Sequence, residues 1–412
     1  MNATPPAMQR WLLLAPLLAL LAILPLGHVQ ALRTVLCCAL GIAAITVRPN
    51  PDPRTRPLFL WWLAWLGFGL ASALWSVTPE LTLRSGVYEL VLPVVVFFGA
   101  VRLVSDLPHL KAASLAIAFG IAGLGLMALA AYLVGRPFAL VSADYQHGMF
   151  RYHPGVGVAT TFVALAFPLW LMLLHSDRVW HVAALALIGV TLAIGAAAPN
   201  RMFWITLFGT TLAFVLARRR DASARSRWRP ALIIAIAGAV MTGMLVFTLQ
   251  QRVVTGVAAS ADVMASVNQD WRIAGWPAWA AQVSERPLLG TGFGKEVPAA
   301  AYGAALPPTV RQNVFPHAHN LVLNILLQVG IVGLALYVVL LVVLTRYYGR
   351  ALGDSRTATF GRAGIALVTA MVLKNATDDF MDYAIVIAFW AIAGMLVGVI
   401  AQRRAHVRAT PS

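Results

Sequence analysis

Charged residues are scarce in this chain, and their scarcity excludes a soluble globular domain of this length. Only 11% of the 412 residues are Asp, Glu, Lys or Arg, whereas 60% are hydrophobic. Soluble domains carry roughly 25% charged residues. Apolar runs of the ~20 residues that a membrane-spanning helix needs recur along the whole chain. The composition therefore predicts an all-α polytopic membrane protein, with residues 1–412 forming a single integral membrane domain.

Cysteine is also nearly absent, and the motifs that bind nucleotides are missing. Cys37 and Cys38 are adjacent in one apolar run, where neighbouring helical side chains point in different directions. We therefore expect no disulfide between them, and the chain has no cysteine-based metal framework. Neither an Asp-x-Asp motif nor a P-loop occurs. We expect no cofactor and no bound metal.

The apolar runs predict about 12 membrane-spanning helices. The first run, after Arg10, resembles a signal sequence, but the next run follows almost at once, so we interpret it as a retained helix. The candidate spans are 11–27, 31–47, 58–76, 86–104, 112–134, 155–174, 180–198, 201–217, 231–249, 318–345, 361–377 and 383–401. Twelve spans place both termini on the same side of the membrane.

Basic residues are distributed unequally between the two sides of this topology. The side of the termini holds 20 of the 31 lysines and arginines and only five acidic residues, whereas the other side holds 11 basic and 10 acidic residues. Positive charge accumulates in cytoplasmic loops. The net charge of +16 is therefore a topology signal rather than an indication of nucleic-acid binding, and both termini are predicted to be cytoplasmic.

Two loops on the non-cytoplasmic side are long enough to carry function. The larger comprises residues 250–317, between the ninth and tenth spans, and the smaller comprises residues 135–155. In the larger loop, the stretch Trp271–Ser284 is predicted to form a helix with Asp270 near its N-cap. Pro277 is expected to interrupt or kink that helix.

The non-cytoplasmic side carries arginines for which the topology gives no reason. They are Arg84, Arg136, Arg151, Arg201, Arg252, Arg272, Arg286 and Arg311. Guanidinium groups bind phosphate in a bidentate manner, which indicates an anionic ligand. The alternative is that they form ion pairs with acidic residues of the same side, which are Asp144, Asp262, Asp270, Glu285, Glu296 and the Asp378–Asp382 cluster. We expect that alternative least for Arg201, which lies in a very short turn at the membrane surface.

The larger loop ends in Pro316-His-Ala-His-Asn320, where the tenth span begins. His317 and His319 have three possible roles: a metal pair, a general base or a structural cap. A metal pair would need an extended backbone, and no third ligand at metal spacing is near. Neutral histidine is a common general base near pH 7, and we favour that role. Asn320 could orient an imidazole or hold a substrate hydroxyl.

Three passages on this side form a recognisable series. They are Phe150-Arg-Tyr-His-Pro-Gly-Val-Gly157, then Trp271-Arg-Ile-Ala-Gly-Trp276 with the predicted turn Pro287-Leu-Leu-Gly-Thr-Gly-Phe-Gly294, then His317-Ala-His-Asn-Leu321 with Gly330-Ile-Val-Gly333. In this order they resemble the O-antigen ligase and polymerase superfamily, over about residues 130–345. Arg201 matches the family's arginine between two spans. Gln328 and Asn200 depart from it, because the family usually has an acidic residue and often a serine there.

The resemblance implies a metal-independent, inverting glycosyltransferase on the periplasmic face of the bacterial inner membrane. The donor would be O-antigen polysaccharide on undecaprenyl diphosphate, and the acceptor would be a sugar hydroxyl of the lipid A–core. The implied partners are these two substrates and membrane lipid, with no nucleic acid. Both long loops, 250–317 and 135–155, would be periplasmic.

The resemblance also assigns roles to residues. The base would be His319 or His317, and we favour His319 because His-Asn is the more typical family pair. The expected diphosphate-binding residues are Arg201, Arg272, Arg151 and Arg84. The expected substrate-positioning residues are Asn320, Asp378, Asp379 and Asp382. An apolar groove between spans would take the prenyl chain, and the sequence does not locate it.

Three alternatives to an O-antigen ligase remain open. An O-antigen polymerase would use the same type of donor at both of its subsites. A protein O-oligosaccharyltransferase usually has a sizeable C-terminal periplasmic region, and we disfavour it because the chain ends soon after the last span. A transporter of lipid-linked sugar should show paired halves and charges near the membrane midplane, and neither is evident.

Overall fold

The protein is helical throughout the part of the chain that the computed structural model describes. The described residues are 7–47, 52–133, 155–198, 200–217, 228–254, 270–314, 317–377, 379 and 383–409. They contain no β-strand. The predicted all-α class is therefore confirmed for these residues.

Long helices dominate both halves of the chain. The first half forms α1 (Ala7–Ile23), α2 (Gln30–Thr46), α3 (Arg56–Ala71), α4 (Pro79–Leu103), α5 (Leu107–Leu133), α6 (Val156–Leu173), α7 (Arg178–Ala197), α8 (Arg201–Leu216) and α9 (Trp228–Val254). Three shorter helices follow, α10 (Trp271–Val283), α11 (Val297–Tyr302) and α12 (Pro308–Val314). The C-terminal part forms α13 (Leu321–Ala351), α14 (Ala358–Lys374) and α15 (Tyr383–Ala409).

Each of the twelve predicted spans has a helix at its position. Eight helices are long and apolar enough to cross a membrane, and α1, α2 and α8 are apolar but shorter. A membrane-spanning helix bundle is thereby supported, while the count of twelve spans stays a prediction. The largest difference at a single end concerns the last span, predicted as 383–401, because α15 continues to Ala409.

The larger loop is partly helical, as predicted. Helix α10 begins at Trp271 with Asp270 as its N-cap, which confirms the expected helix and its cap. Pro277 lies inside the continuous helix and does not interrupt it, while the alternative expectation of a kink stays a prediction. Helix α9 extends to Val254, so the predicted loop boundary at Gln250 falls within a helix. Apart from Gly155, the smaller loop lies outside the described residues.

Helix α15 forms the centre of the bundle, and small residues allow α4 to approach it closely. Every residue of its apolar window is buried. A Cβ atom added to Gly394 would lie 2.4 Å from the carbonyl oxygen of Phe97, and one added to Gly398 would lie 2.5 Å from that of Val104. Two glycines four residues apart therefore bring the two backbones together, as is common between membrane helices.

Helix α13 is interrupted at Gly330, where φ is 63° and ψ is −167°. An unbroken helix would pair the amides of Ile331 and Val332 with the carbonyls of Leu327 and Gln328, four residues earlier. The interruption releases these two donors and two acceptors. Unpaired backbone groups at membrane depth would each cost several kcal/mol, so other partners must satisfy them.

The glycine-rich turn that follows Pro287 supplies all four partners. The amides of Ile331 and Val332 donate to the carbonyls of Pro287 and Leu288, at 2.9 and 3.3 Å. In return, the carbonyls of Leu327 and Gln328 accept from the amides of Thr291 and Gly292, at 3.0 and 2.8 Å. The turn, residues 287–292, is thus inserted into the hydrogen-bond ladder of α13 and docked on it.

Two glycines, Gly290 in the turn and Gly330 in α13, make this insertion possible. At each of them, the backbone of the opposite segment occupies the space that a Cβ atom would need. A Cβ at Gly330 would lie 2.2 Å from the carbonyl oxygen of Leu288. A Cβ at Gly290 would lie 2.4 Å from the carbonyl group of Gln328. Both glycines also have positive φ. The side-chain oxygen of Gln328 accepts from the amide of Gly294 at 2.8 Å, which gives this departure from the family a structural role.

Replacing Gly330 with alanine should destabilise the protein. The φ and ψ of Gly330 lie in a region used essentially by glycine alone, and forcing another residue there costs of order 1–3 kcal/mol before the clash with Leu288 is counted. We expect a lower Tm in detergent for Gly330→Ala. Gly349→Ala in the same helix is the matched control, because no atom lies within 4 Å of its added Cβ. Equal Tm values for the two variants would contradict the docking of the turn.

Candidate active site

Three helix N-termini carry side-chain caps of the same kind. The carboxamide oxygen of Asn200 accepts from the amide of Phe203 at 3.2 Å, and that of Asn320 accepts from Leu323 at 3.0 Å. The carboxylate of Asp270 accepts from the amide of Arg272 at 3.1 Å. These caps begin α8, α13 and α10 respectively. A helix N-terminus carries a partial positive charge and attracts anions.

The start of α8 lies beside the end of α14, because the two helices pack antiparallel. The guanidinium of Arg362, early in α14, donates from Nε to the carbonyl of Phe214, late in α8, at 2.8 Å. Further along, Gly209 contacts the side chain of Leu373. This register places Arg201, the first residue of α8, at the same end of the bundle as the last turn of α14.

The end of α14 in turn holds the start of α13. The carboxamide nitrogen of Asn320 donates to the carbonyl of Ala376 at 3.0 Å. The amide of Leu321 donates to the carbonyl of Asn375 at 3.2 Å. Both ends of the Asn320 side chain are therefore engaged by backbone, and its predicted role in positioning substrate stays a prediction. Arg201 and the histidines next to Asn320 lie at one end of the bundle.

An ion pair joins the start of α10 to the start of α8. The guanidinium Nη2 of Arg201 lies 2.5 Å from the carboxylate Oδ2 of Asp270, and the two side chains are only 17% and 14% exposed. We expected Arg201 least of all the arginines to form such a pair, and that expectation is wrong. Residues 69 apart in the chain are brought together here, and Arg272, half-buried, stands two positions beyond Asp270.

The two histidines contact each other through their rings. The ring centroids of His317 and His319 are 3.9 Å apart, with the planes inclined by 36°. His319 has a φ of 48°, a left-handed conformation that non-glycine residues seldom adopt. Between them Ala318 is fully buried. The two imidazole rings therefore lie together, while the residue between them is buried. Both rings are half-buried.

Ala318 belongs to an apolar cluster that ties the histidine segment to α10 and α13. Its neighbours in the cluster include Trp279, Tyr302 and Leu327. Trp279 is fully buried, so its indole ring packs within this cluster. Burial raises the pKa of Tyr302, which therefore keeps its hydroxyl proton at neutral pH.

Asp379 is held at the same end of the bundle. Its carboxylate Oδ2 accepts from the carboxamide of Asn324 at 2.5 Å, and its backbone carbonyl accepts from the Lys295 ammonium group. Asn324 and Asp379 are both buried. A cavity of about 40 Å³ lies beside them and is also lined by Glu89 and Gln328. Asp379 is therefore held by Asn324 of α13 and by Lys295, which follows the docked turn.

Of the remaining predicted site residues, the structure describes only Arg84. Arg84 is exposed on α4, and no hydrogen bond among the described residues links it to Arg201 or to either histidine. Arg151, Asp378 and Asp382 lie outside the described residues. The grouping of Arg201, Arg272, His317, His319, Asn320 and Asp379 at one end is what the structure adds to the prediction.

Some residues of this region were missed at the sequence level. Glu89 lies in a π-helical turn within α4, and the side chain of Lys374 is fully buried at the end of α14. Both fall inside predicted spans, where an ionisable residue is costly and usually functional. That rule could have singled out both. Lys295 and Asn324 carry no comparable local signal, because their roles depend on long-range contacts.

A long apolar groove begins at this end and follows α13 and α14. It has a volume of about 900 Å³. Asn320 and Ala376 line its upper end, while Thr345 and Arg346 line its lower end. Between them the wall consists almost entirely of leucine, isoleucine and valine side chains. From Asn320 to Arg346 α13 rises about 40 Å, so the groove is long enough for an extended chain.

Removing the Asp270 carboxylate should destabilise the junction of α8 and α10. Asp270→Asn keeps an N-cap of similar quality but removes the negative charge that pairs with the Arg201 guanidinium, and we expect a loss of about 1–3 kcal/mol. Asp270→Ala also removes the cap, at a further cost of about 1 kcal/mol. Thermal unfolding in detergent measures both, and the Arg201→Gln, Asp270→Asn double variant isolates the pair. If Asp270→Asn is as stable as the parent, only the cap contributes.

Comparison with known proteins bears on this arrangement directly. Residues 196–338 match the family model described as O-antigen ligase. The matched segment runs from the turn before Arg201 through the docked glycine-rich turn, His317 and His319 to the upper half of α13. No curated protein matches the chain. Over residues 196–338, the chain is therefore similar to the O-antigen ligase family.

Proposed function

We propose that the protein is an O-antigen ligase. It transfers O-antigen polysaccharide from undecaprenyl diphosphate to a sugar hydroxyl of the lipid A–core, on the periplasmic face of the bacterial inner membrane. One observation carries the proposal: capped helix N-termini, arginines and a histidine pair share one end of the bundle with the mouth of a long apolar groove. At this end an anionic group could bind to the arginines and its apolar tail could enter the groove. A histidine there could accept the proton of an attacking hydroxyl.

The diphosphate is assigned to the starts of α8 and α10. Arg201 and Arg272 supply guanidinium groups, and two helix N-termini add partial positive charge. The ion pair with Asp270 orients the Arg201 side chain before substrate arrives. Charge develops on the diphosphate as it leaves, so preorganised cations stabilise the transition state more than the ground state. Arg84 and Arg151 remain further candidates for the same role.

The prenyl chain of the donor is assigned to the groove between α13 and α14. Its apolar wall suits a polyisoprenoid, and its upper end lies at Asn320, next to the histidines. A donor seated there would have its diphosphate at the end of the bundle that holds Arg201. The membrane surface at this end is the periplasmic one, with both termini in the cytoplasm. These placements rest on the charge asymmetry of the sequence.

The reaction needs one proton acceptor and no cofactor. The acceptor hydroxyl attacks the anomeric carbon on the face opposite the diphosphate, so one C–O bond forms as the other breaks and the configuration inverts. The proton of the hydroxyl passes to His319, with His317 as the alternative base. The electron pair of the broken bond leaves with the diphosphate, which Arg201 and Arg272 stabilise. The acceptor would be positioned by Asn320, Asp378, Asp379 and Asp382.

Loss of the base should abolish transfer without loss of the protein. In a ligase-deficient Gram-negative strain with a matching core, the parent should restore capped lipopolysaccharide, visible as a ladder on a gel. We expect His319→Ala to reduce capping by about 10²–10⁴-fold, the usual contribution of a general base. His181→Ala, exposed at the opposite end of the bundle, is the matched control. Membrane levels of each variant are measured by immunoblot.

Each outcome of this experiment separates the candidate functions. Capping by the parent, together with undecaprenyl-linked O-antigen accumulating in His319→Ala, supports the ligase. If capping occurs without this protein but only single repeat units are attached, the protein is an O-antigen polymerase, which the family match also accommodates. If His317→Ala fails and His319→Ala does not, the base is His317.

Filling the groove should weaken binding of the donor and leave the acceptor unaffected. Val338 and Val342 line the groove and are 47% and 39% exposed, so tryptophan can be placed there without disturbing the core. We expect Val338→Trp and Val342→Trp to raise the KM for the lipid-linked donor about tenfold, or about 1.4 kcal/mol. Val182→Trp, 59% exposed on α7 and outside the groove, is the control. An unchanged donor KM would place the prenyl chain elsewhere.

A further inference from the structure

A second cavity lies at the end of the bundle opposite the candidate active site. Its volume is about 320 Å³, and it is formed by the start of α3, the end of α4 and α15. The residues that matter for its chemistry are Asp52, Arg56, Phe59, Phe98 and Arg102. Helix α4 starts next to the docked turn and ends at Leu103, so its length separates this cavity from the histidines. We call it the arginine cavity.

Two guanidinium groups line the arginine cavity. Arg56, the first residue of α3, is exposed, and Arg102, in the last turn of α4, is half-buried. Arg102 Nη1 donates to the carbonyl of Ala44 at 3.2 Å, which fixes its guanidinium on the wall between α2 and α4. Guanidinium groups bind phosphate oxygens through paired N–H donors.

The carboxylate of Asp52, which also lines the cavity, does not cancel this charge. The side chain of Asp52 is fully buried, with its Oδ2 3.8 Å from Arg404 Nη1. The hydroxyl of Tyr347 donates to the same oxygen at 3.4 Å. Asp52 is therefore matched by Arg404, whose side chain is also buried. The charge that an entering ligand would meet comes from Arg56 and Arg102.

The rest of the arginine cavity is apolar and continues onto the outer surface of α3. The rings of Phe59 and Phe98 pack edge to face, with centroids 5.3 Å apart. Phe59 is 45% exposed, and Leu60 and Leu63 beyond it are 53% and 43% exposed. In a membrane these side chains face lipid. A soluble phosphate would contact the arginines but leave this wall unused, so the site suits an anion that carries an apolar chain.

We propose that the arginine cavity binds the headgroup of an anionic glycerophospholipid. Its phosphate lies between Arg56 and Arg102, and an acyl chain follows Phe59 and the exposed face of α3. Basic pockets between membrane helices on the cytoplasmic side bind acidic headgroups by the same electrostatics. The lipid would link α3 to α4 at the membrane surface, far from the transferase site, so its binding is independent of the proposed reaction.

Native mass spectrometry of the full-length protein in detergent tests this directly. The probes are phosphatidylglycerol and phosphatidylcholine with identical acyl chains, each titrated separately. We expect preferential binding of phosphatidylglycerol, and about fivefold weaker binding for each of Arg56→Gln and Arg102→Gln. Arg54→Gln, an exposed neighbour outside the cavity, should bind like the parent. Arg102→Lys keeps the charge if Arg102→Gln folds poorly.

Three results would overturn the proposal. Equal binding of the two lipids would show that acyl chains alone hold them. Unchanged phosphatidylglycerol affinity in Arg56→Gln, which alters an exposed side chain and leaves the fold intact, would exclude the assigned headgroup site. Displacement of phosphatidylglycerol by an equal concentration of glycerol 1-phosphate would show that the ligand is a soluble phosphate rather than a lipid.

Discussion

Inside a bilayer, a helix can be interrupted only where other groups take over the backbone hydrogen bonds that the interruption releases. Helix α13 meets this constraint at Gly330, where the turn after Pro287 exchanges four hydrogen bonds with the two halves of the helix. The turn is thereby fixed against the interrupted segment of α13. The polypeptide on either side, with α10 before it and α11 after it, has to pack on α13. The apolar cluster around Trp279 and Ala318 is the result.

The position of the histidines follows from this docking. Helix α10 is held against α13 near its buried Trp279, and its N-terminus reaches the start of α8 through Asp270 and Arg201. Helix α14 completes the arrangement by running antiparallel to α8 and accepting hydrogen bonds from the start of α13. The candidate site is thus a meeting point of helix ends, which carry unsatisfied donors and partial charge. Its chemistry depends on long-range packing more than on any one motif.

Local sequence patterns were sufficient to predict the helices, but they did not predict the contacts that join one helix to another. Apolar periodicity and length predicted a helix at every span, and the cap preference of aspartate predicted α10 from Asp270. The glycine-rich stretch was correctly predicted as a turn. Its partner, Gly330, lies 40 residues away, and neither the helix interruption nor the docking has a local signal. The Arg201–Asp270 ion pair has the same character, because its partners are 69 residues apart.

The left-handed backbone at His319 has a consequence for how this segment tolerates change. A φ of 48° is accessible at low cost to glycine and asparagine, and it is unfavourable for β-branched residues. The side chain at position 319 is therefore constrained twice, once by the proposed proton transfer and once by what the main chain permits. Asparagine would satisfy the second requirement and fail the first, so it would remove the imidazole while keeping the conformation. A valine would fail both, and its effect would combine lost chemistry with a displaced loop.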